Sequence, residues 1–136
     1  MMTLEQTHAR SRLLAWLAGA MDGGTGLGKV FAPALTLQLM MVPVPGEEAL
    51  FYLRFVGVFV GMVGFSYLGA VGRGTAWDLR AVLRFTVPFR LAAGLFCAVG
   101  VGVGELAPMW LSVAGADWML VGLQIGLLRG KWEAPA

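Results

Sequence analysis

Asp22, Arg90 and Asp117 are the residues whose type and setting suggest chemistry, because each stands inside a long apolar run. An ionised group near the centre of a bilayer costs at least about 2.5–3.5 kcal/mol and persists where it is paired or hydrated. Counting about 1.5 Å per residue from the basic ends of those runs places Asp22 about 14 Å deep, Arg90 about 9–12 Å and Asp117 about 16 Å, compatible with one shared layer. The planar guanidinium of Arg90 can bond one aspartate bidentately and touch the other. One cation between two carboxylates leaves a surplus negative charge, which protonation or hydration of one aspartate would relieve. Gln124, seven residues after Asp117, extends the polar line along the same helix face. Such a seam is either a polar pathway or headgroup site, or a buried ion-pair network that sets helix rotation and register. The ready supply of partners favours the network.

Lys29, Arg54 and Glu105, with Glu47 or Glu48, are expected to gather in a second charged layer near the opposite face. Lys29 follows Asp22 by seven residues, on a similar helix face about 10 Å away along the axis. Other chemistry is missing. His8 is the one histidine and Cys97 the one cysteine, which leaves no haem ligand pair, no cysteine-built metal site and no internal disulfide. No nucleophile has a credible base. The stretch from Gly23 to Lys29 has the glycine and lysine spacing of a phosphate loop, but Val30 stands where a magnesium-binding hydroxyl belongs and no strand precedes it. No cofactor and no enzymatic activity are expected.

These charges must be positioned by membrane helices. The chain of 136 residues is 58% hydrophobic and 13% charged, whereas soluble domains carry about 25% charged residues. Four segments reach the length of about 20 residues that a helix needs to cross the hydrocarbon core. They span residues 13–33, 49–71, 82–104 and 109–128 of one domain covering 1–136. The first contains Asp22, Lys29 and Pro33; it is expected to reach about Phe31, kink, and run on toward residue 41 before the Val42-Pro43-Val44-Pro45 breaker. Residues 72–81 read as the longest loop, and the N-terminus as a polar tail. The fold class is all-α, a four-helix transmembrane bundle.

Charge asymmetry orients it. Arg10, Arg12, Arg73, Arg80, Arg84, Arg129 and Lys131 lie at one side, seven basic residues against at most Arg54 and Lys29 at the other, which also carries Glu47, Glu48 and Glu105. The positive-inside rule then predicts both termini in the cytoplasm, and the scattered basic residues form no nucleic-acid stripe. Each span also carries a small-xxx-small glycine pair, namely Gly19/Gly23 and Gly24/Gly28, Gly57/Gly61, Gly100/Gly104 and Gly122/Gly126, which predicts close helix packing within the bundle.

The four-span plan, the glycine-rich helices, the Leu-Arg-Phe-Val-Gly-Val-Phe-Val-Gly run at 53–61 and an arginine inside the third span together resemble the small bacterial four-helix membrane proteins of the DoxX-like type. The similarity is architectural, covers most of the chain and transfers no functional residue. It implies an accessory subunit in a bacterial inner membrane, associated in some relatives with quinone-linked oxidation. The expected function is a non-enzymatic membrane subunit docking on a larger complex; the alternative is a small homo-oligomeric transporter or channel lined by Asp22, Arg90 and Asp117. Expected partners are membrane lipids, other membrane subunits or further copies of the chain, with a quinone or lipid as candidate ligand.

Overall fold

Thr3 opens the first helix with a reciprocal cap: its hydroxyl accepts from the Gln6 N–H at 3.3 Å while the Gln6 amide oxygen accepts from the Thr3 N–H at 3.1 Å. This cap makes residues 4–12, expected as a polar tail, helical. The computed structural model describes residues 2–132. Among them are five helices: α1 (Leu4–Phe31), α2 (Pro33–Leu39), α3 (Glu47–Arg73), α4 (Ala76–Gly102) and α5 (Trp110–Leu128). Pro33 has no N–H to continue α1, so the chain breaks at Ala32 and restarts with proline in the first turn of α2. The expected loop at 72–81 shrinks to Gly74 and Thr75. Gly74 ends α3 at φ 72°, which only glycine adopts without strain, and Thr75 caps α4 by accepting from the Asp78 N–H at 3.0 Å.

Among the described residues α3, α4 and α5 are long and apolar enough to cross a membrane. The chain is accordingly all-α with the character of a multi-pass membrane protein. α1 is as long but carries Arg10, Arg12, Asp22 and Lys29, which lower its average hydropathy. The outer surface is apolar: Phe55, Phe59, Phe89 and Phe96 are each more than half exposed. Water would not tolerate so continuous an apolar surface on a monomer, and lipid would.

The long helices pack as two antiparallel pairs. In the α1/α3 pair, Gly23 and Gly26 lie on the backbone of Gly64 and Gly61, and Gly57 sits under Lys29. In the α4/α5 pair, Gly94 lies against the Trp118 indole. Absent side chains let backbones approach, and van der Waals contact drives association in lipid. The expected glycine pairs are used unequally. Gly24, Gly122 and Gly126 face open space, Gly28 meets only Thr36, and Gly104 forms a left-handed turn at φ 80°.

The pairs meet in one apolar cluster that includes Leu14, Ala18, Leu79, Leu83 and Leu120, and α2 covers a smaller one of Leu37, Val42 and Leu50. Helix ends sort by charge. The Trp132 ring lies tilted 5.5 Å from that of His8, Gly130 abuts Thr7, and Arg12 approaches Gly74, so the start of α1, the α3/α4 turn and the C-terminal end of α5 share the basic end of the bundle.

A Cβ at Gly26 would collide with backbone at Gly61, whereas one at Gly122 would meet nothing. Gly26→Ala is therefore expected to cost about 1–3 kcal/mol of stability, and Gly122→Ala to leave the thermal midpoint in detergent unchanged. Equal midpoints for the two variants would contradict this packing.

Candidate functional site

Three of the close helix contacts stand beside polar residues. Gly94 is one turn beyond Arg90 on α4, Trp118 adjoins Asp117 on α5, and Tyr67 lies one turn beyond Gly64 on α3. Close backbone approach therefore drives these side chains into a common centre, where Asp22 arrives from α1.

Arg90 is at the middle of it, 4% exposed. Its Nη2 donates to Asp22 Oδ2 at 2.5 Å, its Nη1 to Asp117 Oδ1 at 2.7 Å and its Nε to the Tyr67 hydroxyl at 3.2 Å. Arg90 thus bonds one side chain from each of the other three long helices. Its guanidinium carbon also lies 5.5 Å from the centre of the Tyr67 ring, within cation–π range.

The network continues beyond the charges. Tyr67 and Thr86 hydroxyls are 2.7 Å apart, and Thr86 donates to the Val82 carbonyl at 2.7 Å. With the Thr86 proton on Val82, Tyr67 donates to Thr86, and its own oxygen accepts from Arg90. Gln124 Nε2 donates to both hydroxyl oxygens, at 3.0 Å for Thr86. With the protons so placed, the amide nitrogen rather than its oxygen faces the two hydroxyls. The Gln124 oxygen is left buried without a partner among the described residues.

Spacing explains the fit: Thr86 and Arg90 are four apart on α4, Asp117 and Gln124 seven apart on α5, so each pair shares a face and the antiparallel faces match. Sequence reasoning singled out Asp22, Arg90, Asp117 and Gln124, which the structure brings together. It missed Tyr67. The available signal was the run Gly57, Gly61, Gly64 at helical spacing, whose next inward position is Tyr67.

The second charged layer does not assemble. Lys29 is buried against α3, Arg54 donates to the Val30 carbonyl at 2.6 Å rather than to a carboxylate, and Glu105 is exposed in the α4/α5 turn. Among the described residues Lys29, Arg54 and Glu105 form no salt bridge with one another or with Glu47 and Glu48. The break at Pro33 prevents α1 from continuing, leaving last-turn carbonyls in need of donors, and Arg54 supplies one. Gly104 meanwhile turns the chain outward and takes Glu105 with it.

The centre can hold charge, orient hydroxyls and lock helices, with Asp22 and Asp117 side chains 12% and 14% exposed. No protein-family model, curated protein or solved structure matches the chain.

Removing the cation leaves two carboxylates facing each other. Arg90→Met is expected to cost about 3–5 kcal/mol, and adding Asp22→Asn and Asp117→Asn to recover much of that loss. Arg90→Lys, a point charge without the fork, should not rescue. Thermal unfolding in detergent reads all three, and an unchanged midpoint for Arg90→Met would sink the structural role.

Proposed function

We propose that the chain is a four-span membrane protein with both termini in the cytoplasm, acting as a non-enzymatic subunit that docks on a larger membrane complex. The observation that carries this reading is the placement of Arg90, whose three hydrogen-bonding nitrogens each end on a side chain from a different helix. A guanidinium so occupied works as a brace, and it consumes the polar groups that a catalytic centre would turn toward a substrate.

The faces of α1 support its counting as the fourth span. Leu13, Trp16, Leu17, Met21, Leu27 and Phe31 point outward while Asp22 and Lys29 are buried. Lipid would touch only the apolar side. From Leu13 to Phe31 the helix covers about 27 Å, close to a hydrocarbon thickness of about 30 Å. Basic residues concentrated at the end that holds the start of α1 and the end of α5 support the cytoplasmic assignment. Gly122 and Gly126, open on α5, offer an approach for a partner's helix. The resemblance to DoxX-like proteins points to a quinone-linked oxidation system as host.

A second reading, the homo-oligomeric transporter or channel, is favoured by one observation. Ser11 Oγ and Gln124 Oε1 are fully buried and unpartnered among the described residues, and belong to the same inward seam as Asp22 and Arg90. Water would satisfy both.

Two measurements separate these. After purification in mild detergent a stoichiometric membrane partner is expected to remain bound; a discrete homo-oligomer free of other chains would overturn the subunit reading. Reporter fusions at either terminus should both report cytoplasm. In liposomes the subunit reading expects no solute flux, whereas flux abolished by Asp22→Asn with Asp117→Asn would establish the pathway.

A further inference from the structure

We propose that a groove between α3 and α4 at the basic end of the bundle binds an anionic phospholipid, its phosphate on Arg80 and Arg84 and an acyl chain along the strip leading to Pro88. The inference rests on the membrane reading alone, and on neither the host complex nor the side of the membrane.

The two-residue α3/α4 turn creates the site. With α4 beginning at Ala76, Trp77, Arg80, Arg84 and Pro88 fall at three- and four-residue spacing and line one groove. α3 contributes Arg73 from its last turn and Ser66 from two turns deeper. The groove has a volume of about 710 Å³, within the range of about 300–1,000 Å³ typical of small-molecule sites.

Its charge is cationic and partly unspent. Asp78 is the one carboxylate in the groove; it accepts from the Thr75 hydroxyl at 2.8 Å and stands 3.9 Å from Arg73. Arg80 and Arg84 are exposed and make no side-chain hydrogen bond or salt bridge among the described residues. Two free guanidiniums one turn apart suit a phosphate, which guanidinium forks bond bidentately.

Shape selects a lipid over a soluble anion. From Arg73 to Ser66 and from Arg80 to Pro88 the groove runs about 10–12 Å along the helix axes, and its inner part is walled by Val82, Phe85 and Pro88. A hydrated anion gains nothing from that strip, whereas an acyl chain does. Trp77, 65% exposed at the rim, belongs to the residue type enriched at headgroup depth. Basic pockets between membrane helices are where anionic headgroups are held.

The test uses the full chain purified in mild detergent and titrated with phosphatidylglycerol or phosphatidylcholine, with occupancy read by native mass spectrometry. Phosphatidylglycerol should bind more tightly. Arg80→Gln with Arg84→Gln should weaken it about 30-fold without affecting phosphatidylcholine. Ala81→Trp, which fills the strip and leaves every charge in place, should also weaken it. Arg10→Gln with Arg12→Gln removes the same charge at the same end outside the groove and should leave binding intact. Equal binding of the two lipids, an equal loss from the α1 variant, full binding by Ala81→Trp, or glycerol phosphate competing as well as the intact lipid would each overturn the proposal. Loss of the protein from carbonate-washed membranes would instead reveal failure of the membrane reading.

Discussion

A guanidinium held away from water must be surrounded by acceptors, and the whole bundle is arranged to meet that demand at Arg90. The acceptors come from α1, α3 and α5, so none of the three helices can rotate or slide without uncovering a charge. Burial of an ion cluster gives little net stability, because desolvation offsets attraction. The cluster instead penalises every wrong arrangement. Apolar packing cannot do this in lipid, where a leucine facing a neighbour and a leucine facing an acyl chain have similar energy.

The hydroxyl chain extends the same restriction. Arg90, Tyr67, Thr86 and the Gln124 amide form one continuous hydrogen-bonded chain that ends on the Val82 carbonyl, so side chains from α3, α4 and α5 hold one another in place. Glycines supply the complementary half. Gly26 and Gly61 bring α1 onto α3, Gly94 brings α4 under Trp118, and the shortened distances let side chains as short as aspartate reach the centre. Directional bonds choose the arrangement and close packing makes it attainable.

The core of this site was legible because charges are rare and expensive in apolar runs, so Asp22, Arg90 and Asp117 announce themselves, and depth counting suffices to align them. Tyr67 was not legible in that way. A tyrosine near an apolar span reads as interfacial by default, and only its register with three glycines reveals an inward phenol. The charged layer of Lys29, Arg54 and Glu105 failed for a related reason: depth says which groups share a level, but not which competitor reaches them first. Here a backbone carbonyl near the Pro33 break claimed Arg54. The glycine pairs show the same gap, since spacing places two glycines on one face and leaves open whether that face meets a helix or lipid. Gly57/Gly61 and Gly122/Gly126 are indistinguishable by pattern and opposite in use.

On the four-span reading proposed above, α1 shows why average hydropathy and membrane residence part company. Averaging weighs Asp22 and Lys29 as if lipid touched them, yet both are buried while the outward residues are apolar. Hiding them depends on the rest of the bundle. α3 covers one side by backbone contact, but the partner that Asp22 bonds is Arg90, far later in the chain on α4. On that reading, until α4 is in place Asp22 bears the cost of an unpaired intramembrane charge, and Arg90 bears its own until α1 and α5 receive it. α1 is thus, on that reading, a poor span alone and an acceptable one in company. Cooperative assembly follows from this mutual dependence, with the α1/α3 and α4/α5 pairs held together by groups that neither pair can satisfy alone.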